Sequence, residues 1–142
     1  MSIPMTVVFT EIKLDTERRK ELVDITDRIA SAILNSGIRN GICLIHSMHS
    51  TSALVINENE SGLRTDILKK ISENYPAGMG WQHDRIDDNA DGHLAGAFIG
   101  PSLTLPVKEG RPVLGTWQSI FFLELDGPRT GRRILVEIMG EG

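Results

Sequence analysis

The sequence has few of the residues on which several protein classes depend. A single cysteine, Cys43, excludes an intrachain disulfide, and its apolar surroundings predict a buried side chain. Aromatic residues make up 5% of the chain, and no apolar run approaches the roughly 18 residues of a membrane span. Lys and Arg number 15 against 19 Asp and Glu. The composition therefore argues against a disulfide scaffold, a membrane protein and a non-specific nucleic-acid binder.

What the sequence does contain is typical of one globular domain. The chain has 142 residues, 40% hydrophobic and 24% charged, and single domains cluster at roughly 100–200 residues. No linker, low-complexity tract or internal repeat divides it, so we predict a single domain over residues 1–142. Residues 1–4 carry no basic stretch followed by an apolar one, so no secretory signal is predicted and a cytoplasmic location is expected.

The hydrophobic periodicity changes from mixed to strand-dominated along the chain. Spacings of three and four predict a helix from residue 15 or 16 to 35, capped by Gly37, and a second helix over 63–71. Strands are predicted over 5–14, 41–49, 53–57, 102–107, 113–126 and 133–139, with a loop over 77–93 and a short helix over 93–99. Because strands outnumber helices and cluster late, we predict an α+β fold. It is a single compact domain with a mostly antiparallel β-sandwich or barrel-like core and two main helices.

The four histidines are candidates for chemistry. His46 and His49 are three positions apart in one predicted strand, so their side chains should lie on opposite faces. His83 and His93 flank an acidic loop and can converge on a third histidine that the fold brings near. Three neutral imidazoles plus water form the open coordination of a catalytic zinc site. For each histidine alone, a hydrogen-bonded structural role is the alternative.

The acidic loop partly copies a calcium-binding loop. Asp87, Asn89, Asp91 and Gly92 match the first half of an EF-hand loop, but the twelfth position is Phe98, where a bidentate acid is required. This excludes the EF-hand. A magnesium role for one or two of these carboxylates stays open, because magnesium often takes few protein ligands plus substrate phosphates.

Three other polar features allow a structural or a functional interpretation. Before the second helix, Asn59 or Ser61 can cap the helix, or Asn57 and Glu58 can belong to a polar pocket. Gln118 lies within the apolar strand predicted over 113–126, where its side-chain amide needs a hydrogen-bond partner. An arginine follows the turn at 126–128. This residue, Arg129, either completes the turn or binds a phosphate in forked geometry.

Short motifs in a fixed order cover nearly the whole chain. They are His49-Ser50-Thr51-Ser52-Ala53 followed by Ile56-Asn57-Glu58-Asn59, Trp81-Gln82-His83-Asp84, Asn89, His93-Leu94, Gly100–Val107, Leu114–Ile120 and Glu124–Arg129. The first pair resembles the H-T-T-A…I-N-E-N signature of the YjbQ proteins. That family is also called uncharacterised protein family 0047, or secondary thiamine-phosphate synthase. No single motif is decisive, but together they are highly specific.

The resemblance implies a compact α+β subunit assembled as a homotrimer, with a divalent metal site at which zinc is the expected ion. Carried over residue by residue, the metal ligands are His49, His83 and His93. His46 falls where the family has an apolar residue and is excluded from this set. Met48 replaces a common proline and Ser50 a common threonine, and neither change removes a ligand.

The activity that the resemblance implies is a weak joining of a pyrimidine methyl diphosphate to a thiazole phosphate, with release of pyrophosphate. The departing diphosphate requires stabilisation by a metal or by cations, and magnesium can arrive with it. The expected catalytic residues are His49, Glu58 and Asp84, and the expected substrate-binding residues are Thr51, Asn57, Asn89, Gln118 and Arg129. The partners expected are a small phosphorylated substrate and further copies of the chain, with no nucleic acid and no membrane.

Two alternatives stay open at this point. A zinc ion on three histidines is better suited to activating water, so a metal-dependent hydrolase with Glu58 or Asp84 as general base is the second interpretation. The third is a non-enzymatic module that binds a small ligand or a metal.

Overall fold

The fold is built on eight β-strands and three α-helices, which the computed structural model describes over residues 4–142. The strands are β1 (Thr6–Leu14), β2 (Glu21–Asp24), β3 (Asn40–Ser47), β4 (Ser52–Asn57), β5 (Ser102–Lys108), β6 (Arg111–Pro112), β7 (Ser119–Glu124) and β8 (Arg132–Glu141). The helices are α1 (Thr26–Ser36), α2 (Ser61–Asn74) and α3 (Ala90–Ile99), with a 3₁₀ helix at Gln82–Arg85. Residues 1–3, which entered the prediction of no secretory signal, lie outside the described residues.

All strand pairs in the described residues are antiparallel, and they form two sheets. The larger sheet has the order β1–β8–β3–β5–β6 and curls into a half-barrel, and the smaller has the order β2–β7–β4. The α+β class and the antiparallel core predicted from the sequence are therefore confirmed. The two main helices and the short helix predicted over 93–99 are all present, the last as α3.

The smaller sheet lies between two hydrophobic clusters. On one side Ile120 and Phe122 pack with α1 and the inner face of the larger sheet. On the other side Phe121 and Leu123 pack with residues of α2 and α3. All four side chains are 0% exposed. This burial on both faces explains why β7 is a continuous apolar run rather than an alternating one.

The predicted helix over 15–35 is wrong in its first half. Leu22 lies in β2 and pairs with Leu123 of β7, and α1 begins only at Thr26. The side chain of Asp24 accepts hydrogen bonds from the Thr26 amide and hydroxyl, at 2.9 and 2.6 Å, which fixes this start. Gly37 caps α1 in the left-handed conformation, as predicted.

Three smaller predictions also need correction. The strand expected over 113–126 is shorter, because Gln118 Oε1 accepts the Gly115 amide at 2.8 Å and closes a turn before β7. The second helix is capped by Glu60, whose carboxylate accepts two backbone amides, rather than by Asn59 or Ser61. The short helix α3 begins at Ala90, inside the segment predicted as a loop.

Helix α3 packs backbone against backbone on the strands beneath it. A Cβ atom added at Gly92 would lie 2.6 Å from the carbonyl oxygen of Leu125. One added at Gly96 would lie 2.8 and 2.9 Å from the carbonyl oxygens of Ser50 and Ser52. The two glycines therefore allow the close approach that places His93, between them in sequence, beside the start of β4.

Two expectations, about membrane spans and about Cys43, can be compared with the structure. None of the helices in residues 4–142 is long and apolar enough to cross a membrane. Cys43 is 0% exposed, and burial raises the pKa of its thiol to about 11. The predicted burial of Cys43 is confirmed.

Candidate functional site

Two pockets meet at His93 of α3. The larger, of about 650 Å³, lies over the segment that joins β3 to β4 and is lined by His46, Ser47, Met48, His49, Ser50, Ser52, His93, Leu94, Gly96, Ala97 and Pro101. The smaller, of about 320 Å³, is lined by Trp81, Gln82, His83, Ala90, His93 and Leu94. Since His93 and Leu94 line both pockets, these two residues form a common wall.

His49 is held by main-chain and serine contacts just beyond the end of β3. Its amide donates to Ser47 Oγ at 3.3 Å, and its carbonyl accepts from Ser52 Oγ at 3.2 Å. Its ring Nε2 accepts the main-chain amide of Arg133 at 2.8 Å. The neutral imidazole therefore carries its proton on Nδ1.

The surroundings of His49 favour its neutral form. Burial lowers the pKa of the imidazole, and the positive charges of Arg132, Arg133 and Arg129 lower it further. The carboxylate of Glu124 acts in the opposite direction without reversing the shift. His49 is thus a neutral hydrogen-bonding group at neutral pH.

This shift predicts a pH dependence of stability. Because the folded pKa of His49 lies below the ordinary value of 6.5, the unfolded chain takes up the proton first as the pH falls. The stabilisation is present above about pH 6.5 and is lost as the pH falls below it. We expect the free energy of unfolding in urea to fall more steeply from neutral to mildly acidic pH in the wild type than in His49→Gln. Parallel profiles for the two proteins would contradict the assignment.

His83 and His93 form a pair of imidazoles. Their ring centroids are 4.6 Å apart in an edge-to-face arrangement. His83 Nε2 lies 3.1 Å from Asn89 Oδ1, and Asn89 Nδ2 donates to the buried carboxylate of Asp126 at 2.8 Å. An ionised carboxylate only accepts, so Asn89 Oδ1 must accept from His83 Nε2–H. In the neutral ring, Nδ1 of His83 is then the nitrogen that carries the lone pair.

Asp126 also holds Arg129, so the arginine and the histidine pair belong to one network. Arg129 donates from Nη2 to Asp126 Oδ2 at 2.8 Å and from Nε to the Asp126 carbonyl at 2.9 Å. The bond to Asp126 raises the pKa of Arg129, whose side chain stays 51% exposed. A fixed, exposed guanidinium of this kind can bind a phosphate.

A buried ion pair underlies both parts of the site. Arg132 Nε donates to Glu124 Oε1 at 2.9 Å, and these side chains are 6% and 0% exposed. Arg132 also donates to Thr51, and Glu124 accepts from Thr16 and from the Asp126 amide. Burial acts to raise the pKa of Glu124, but its hydrogen bonds to Arg132 and Thr16 outweigh burial, and the pKa lies below its usual value.

The histidines fit a metal ion in part. Two imidazoles on one tetrahedral zinc ion hold their centroids about 5 Å apart, close to the separation of His83 and His93. The bond from His83 to Asn89 is the outer-shell support typical of a metal-bound histidine. His49 is different, because the Arg133 amide occupies its Nε2 lone pair. Residues 4–142 contain no group of three His, Cys, Asp or Glu side chains arranged for a metal. The three-histidine set stays a prediction.

Two predicted site residues near the histidines already have structural partners. Asp84 Oδ1 accepts the amide of Ala90 at 3.1 Å, at the start of α3. Thr51 is buried, and its hydroxyl and carbonyl both accept from Arg132. Their predicted catalytic and substrate-binding roles are not tested by these contacts.

The structure separates three predicted residues from the histidines. Asn57 and Glu58 lie at the far end of β4, about 16 Å from Ser52 at about 3.3 Å per residue. Asn57 pairs with Ser119, so the neighbouring Gln118 lies at the same far end. Within one chain, these three residues do not reach the pockets around His93.

Sequence reasoning missed the two buried acids that organise the site. Glu124 and Asp126 were treated as parts of a strand and a turn, but they hold Arg132, Arg129 and Asn89. The available signal was a charged residue directly after the apolar run 120–123. A charge in such a run requires a buried partner.

The fold and the site define a class: small α+β proteins with a histidine pair beside an exposed arginine. The model of the family described as "UPF0047 protein YjbQ-like" matches residues 10–141. The chain belongs to this family.

Relatives and solved structures agree with this membership. A UPF0047 protein of Methanothermobacter thermautotrophicus is 50% identical over 137 residues, 96% of this chain and 95% of the relative. The UPF0047 protein YugU of Bacillus subtilis is 35% identical and covers 91% of this chain and 97% of its own length. The crystal structure of a YbjQ-like protein of unknown function from Sulfolobus solfataricus has a TM-score of 0.96 at 53% identity, covering 97% of this chain and 100% of that one.

Proposed function

We propose that this protein is an enzyme that joins two small substrates, at least one of them phosphorylated. The weak coupling of a pyrimidine methyl diphosphate to a thiazole phosphate, expected from the family resemblance, is a reaction of this kind. The observation that carries the proposal is the pair of pockets with His93 in their common wall. Two substrates in adjoining pockets would meet at one residue, which is what a joining reaction requires.

The positive charge of Arg129, linked to His83 through Asp126 and Asn89, supports a phosphorylated substrate. The exposed guanidinium of Arg129 is suited to a diphosphate, and negative charge on the departing group is what such a cation stabilises. His49 is a neutral imidazole in the larger pocket and can accept a proton after its ring leaves the Arg133 amide.

A divalent metal, with zinc as the expected ion, is part of the proposal. His83 and His93 would hold it, and a bound ion would polarise a phosphate oxygen of the substrate. Magnesium would accompany a diphosphate substrate rather than occupy a protein cage.

The homotrimer and the cytoplasmic location are also proposals. Trp117, on the turn beside Gln118, is 72% exposed, and Val113, between β6 and that turn, is 45% exposed. Exposed apolar side chains at this end of the smaller sheet suit a contact between subunits. Such a contact would let Asn57, Glu58 and Gln118 of one subunit serve the histidine site of the next. The lone buried cysteine accords with a reducing compartment.

The test is an assay with both substrates, together with elemental analysis of untagged protein purified without chelator. We expect thiamine phosphate and pyrophosphate only when both substrates are present, loss of turnover in His49→Ala, and about one zinc ion per chain. Consumption of one phosphorylated substrate without the other would favour the hydrolase. Thermal stabilisation by a substrate that is never converted would favour the binding module.

A further inference from the structure

Strand β1 lies at one edge of the larger sheet and has β8 as its single neighbour. The pairing of the two strands runs without a bulge over the whole of β1. In an antiparallel edge strand, the backbone groups of every second residue point to the neighbouring strand, and those of the residues between them point away. One set of N–H and C=O groups of β1 can therefore pair with a further strand.

The contacts of Lys13 and its partner Arg133 show which residues of β1 point away from β8. The Arg133 amide donates to His49 Nε2 and its carbonyl accepts the Met48 amide, so Arg133 turns its backbone groups away from β1. On the opposite side, the Lys13 carbonyl accepts from Arg28 Nη1 at 2.9 Å. Lys13 therefore points away from β8. The same holds for the alternate residues of the strand, which are Val7, Phe9 and Glu11.

The open part of this edge is short and largely apolar. Within residues 4–142, the main-chain N–H and C=O groups of Val7, Phe9 and Glu11 have no hydrogen-bond partner. The side chains of Val7 and Phe9 are 48% and 60% exposed. The guanidinium of Arg28 closes the edge at Lys13. From Val7 to Glu11 the open edge measures about 13 Å, at about 3.3 Å per residue.

A groove between β1 and α1 lies beside the open edge and has a volume of about 320 Å³. Thr10 and Ile12 of β1 form one wall, because their side chains point to the side of the sheet that faces the helix. The other wall is formed by Asp27, Arg28, Ser31, Ala32 and Asn35. A strand added to β1 would continue the pleat of the sheet. Every second side chain of that strand would enter the groove, and the others would lie beside Val7 and Phe9.

We propose that the edge from Val7 to Glu11 binds a short extended segment of a partner protein as an additional β-strand. Main-chain hydrogen bonds would supply the affinity, and apolar side chains at alternate positions, beside Val7 and Phe9, would supply the selectivity. None of the edge residues lines the pockets around His93, so the inference does not depend on the proposed function.

The size of the edge favours a peptide segment over a second copy of the chain. An edge of about 13 Å and a sheet thickness of about 10 Å give a contact of roughly 130 Å². A specific dimer buries roughly 800 Å² on each partner. Pairing along this edge alone is therefore too small to hold two copies together, whereas a short peptide needs no larger contact.

Phe9→Pro tests the main-chain pairing. Proline has no N–H, so the variant loses one of the outward donors. The hydrogen bonds between β1 and β8 stay intact, because the Phe9 amide points away from β8 and proline is tolerated at such an edge position. Phe9→Thr is the matched control, since it removes the ring but keeps the amide. Thermal midpoints of both variants check that they fold.

The probe is a peptide selected on the wild-type protein from a phage-displayed library of random seven-residue sequences. We expect enriched sequences with apolar residues at alternate positions. Calorimetry with the synthetic form of the most enriched peptide should show binding at least about tenfold weaker to Phe9→Pro than to Phe9→Thr. In the complex, hydrogen exchange should slow at the amides of Val7, Phe9 and Glu11, while the amides between them are already protected by β8.

Three results would overturn the proposal: no enriched peptide, equal binding to Phe9→Pro and Phe9→Thr, or no slowing of exchange at the three outward amides. Sedimentation of the free proteins tests the other occupant. A smaller assembly for Phe9→Pro than for the wild type would show that a second copy of the chain pairs with this edge, which would also overturn the proposal.

Discussion

Replacing Arg132 with methionine should lower the free energy of unfolding by about 3–5 kcal/mol, the largest stability effect we expect from any single substitution. The variant leaves the Glu124 carboxylate in an environment where its side chain is 0% exposed and its charge has lost its partner. The acceptor groups of Thr51 lose their donor as well. Urea unfolding at neutral pH measures the loss.

The neighbouring residue gives a matched control. Arg133 also pairs with a glutamate, Glu11, but these side chains are 53% and 33% exposed. Arg133→Met should therefore cost far less than Arg132→Met, because solvent screens an exposed ion pair. Similar costs for the two variants would show that burial does not determine the strength of the Glu124–Arg132 pair.

The loss in Arg132→Met should also depend on pH. In the wild type the pKa of Glu124 lies below its usual value, and loss of the bond from Arg132, the main interaction that opposes burial, would raise it relative to the wild type. The orphaned carboxyl then binds a proton as the pH falls, which relieves the buried charge. The difference from wild type should shrink toward mildly acidic pH. A second variant that combines Arg132→Met with Glu124→Leu should recover part of the lost stability, because the buried charge is removed while the Thr16 hydroxyl and the Asp126 amide lose their acceptor.

Replacing His93 with alanine should lower the kcat/KM of the joining reaction by about 100-fold or more, the largest effect on activity that we expect. His93 lines both pockets and is the partner of His83, so both substrates lose a contact at the same position. The side chain is only half-buried, so the urea midpoint should change little. Arg111→Gln, on an exposed residue of β6, is the control and should retain activity within about twofold. Retention of more than about a tenth of the activity in His93→Ala would contradict the proposal.

A mixing experiment extends this test to the subunit contact. Glu58→Gln should also be inactive if Glu58 serves the site of a neighbouring subunit. When His93→Ala and Glu58→Gln subunits are unfolded together and refolded at equal amounts, about one quarter of the sites combine two unmutated halves. Recovery of about a quarter of the activity is expected. No recovery, although the refolded protein is a trimer, would contradict a site shared between neighbouring subunits.

Much of the fold follows from local patterns, and the exceptions have physical reasons. The second helix and β1 followed from periodicity because each buries one face only. The prediction that Leu22 lies in a helix was wrong. Its spacing to Ile25 and Ile29 suits a helix, but its pairing with Leu123 places it in a strand. That pairing joins residues 101 positions apart, so no local window contains it.

The sequence predicted which residues form the site better than it predicted how they are arranged in space. The motifs singled out His83, His93 and Asn89, and the structure brings these three together. Spacing alone did not predict the pairing, which needs the turn of the 3₁₀ helix and the start of α3 inside an apparent loop. The same motifs grouped Glu58 with the histidines, but the length of β4 separates them within one chain.

The direct backbone contacts of α3 restrict its movement. At Gly92 and Gly96 the helix backbone lies directly against the carbonyl groups beneath it. No flexible side chain lies between them that could rearrange to let the helix move. The wall that carries His93 is therefore stationary. Adjustment to ligands of different size then falls to the segment between α2 and α3, which carries Trp81 and Gln82. Selection for a new substrate should act on that segment first, while the helix keeps its small residues.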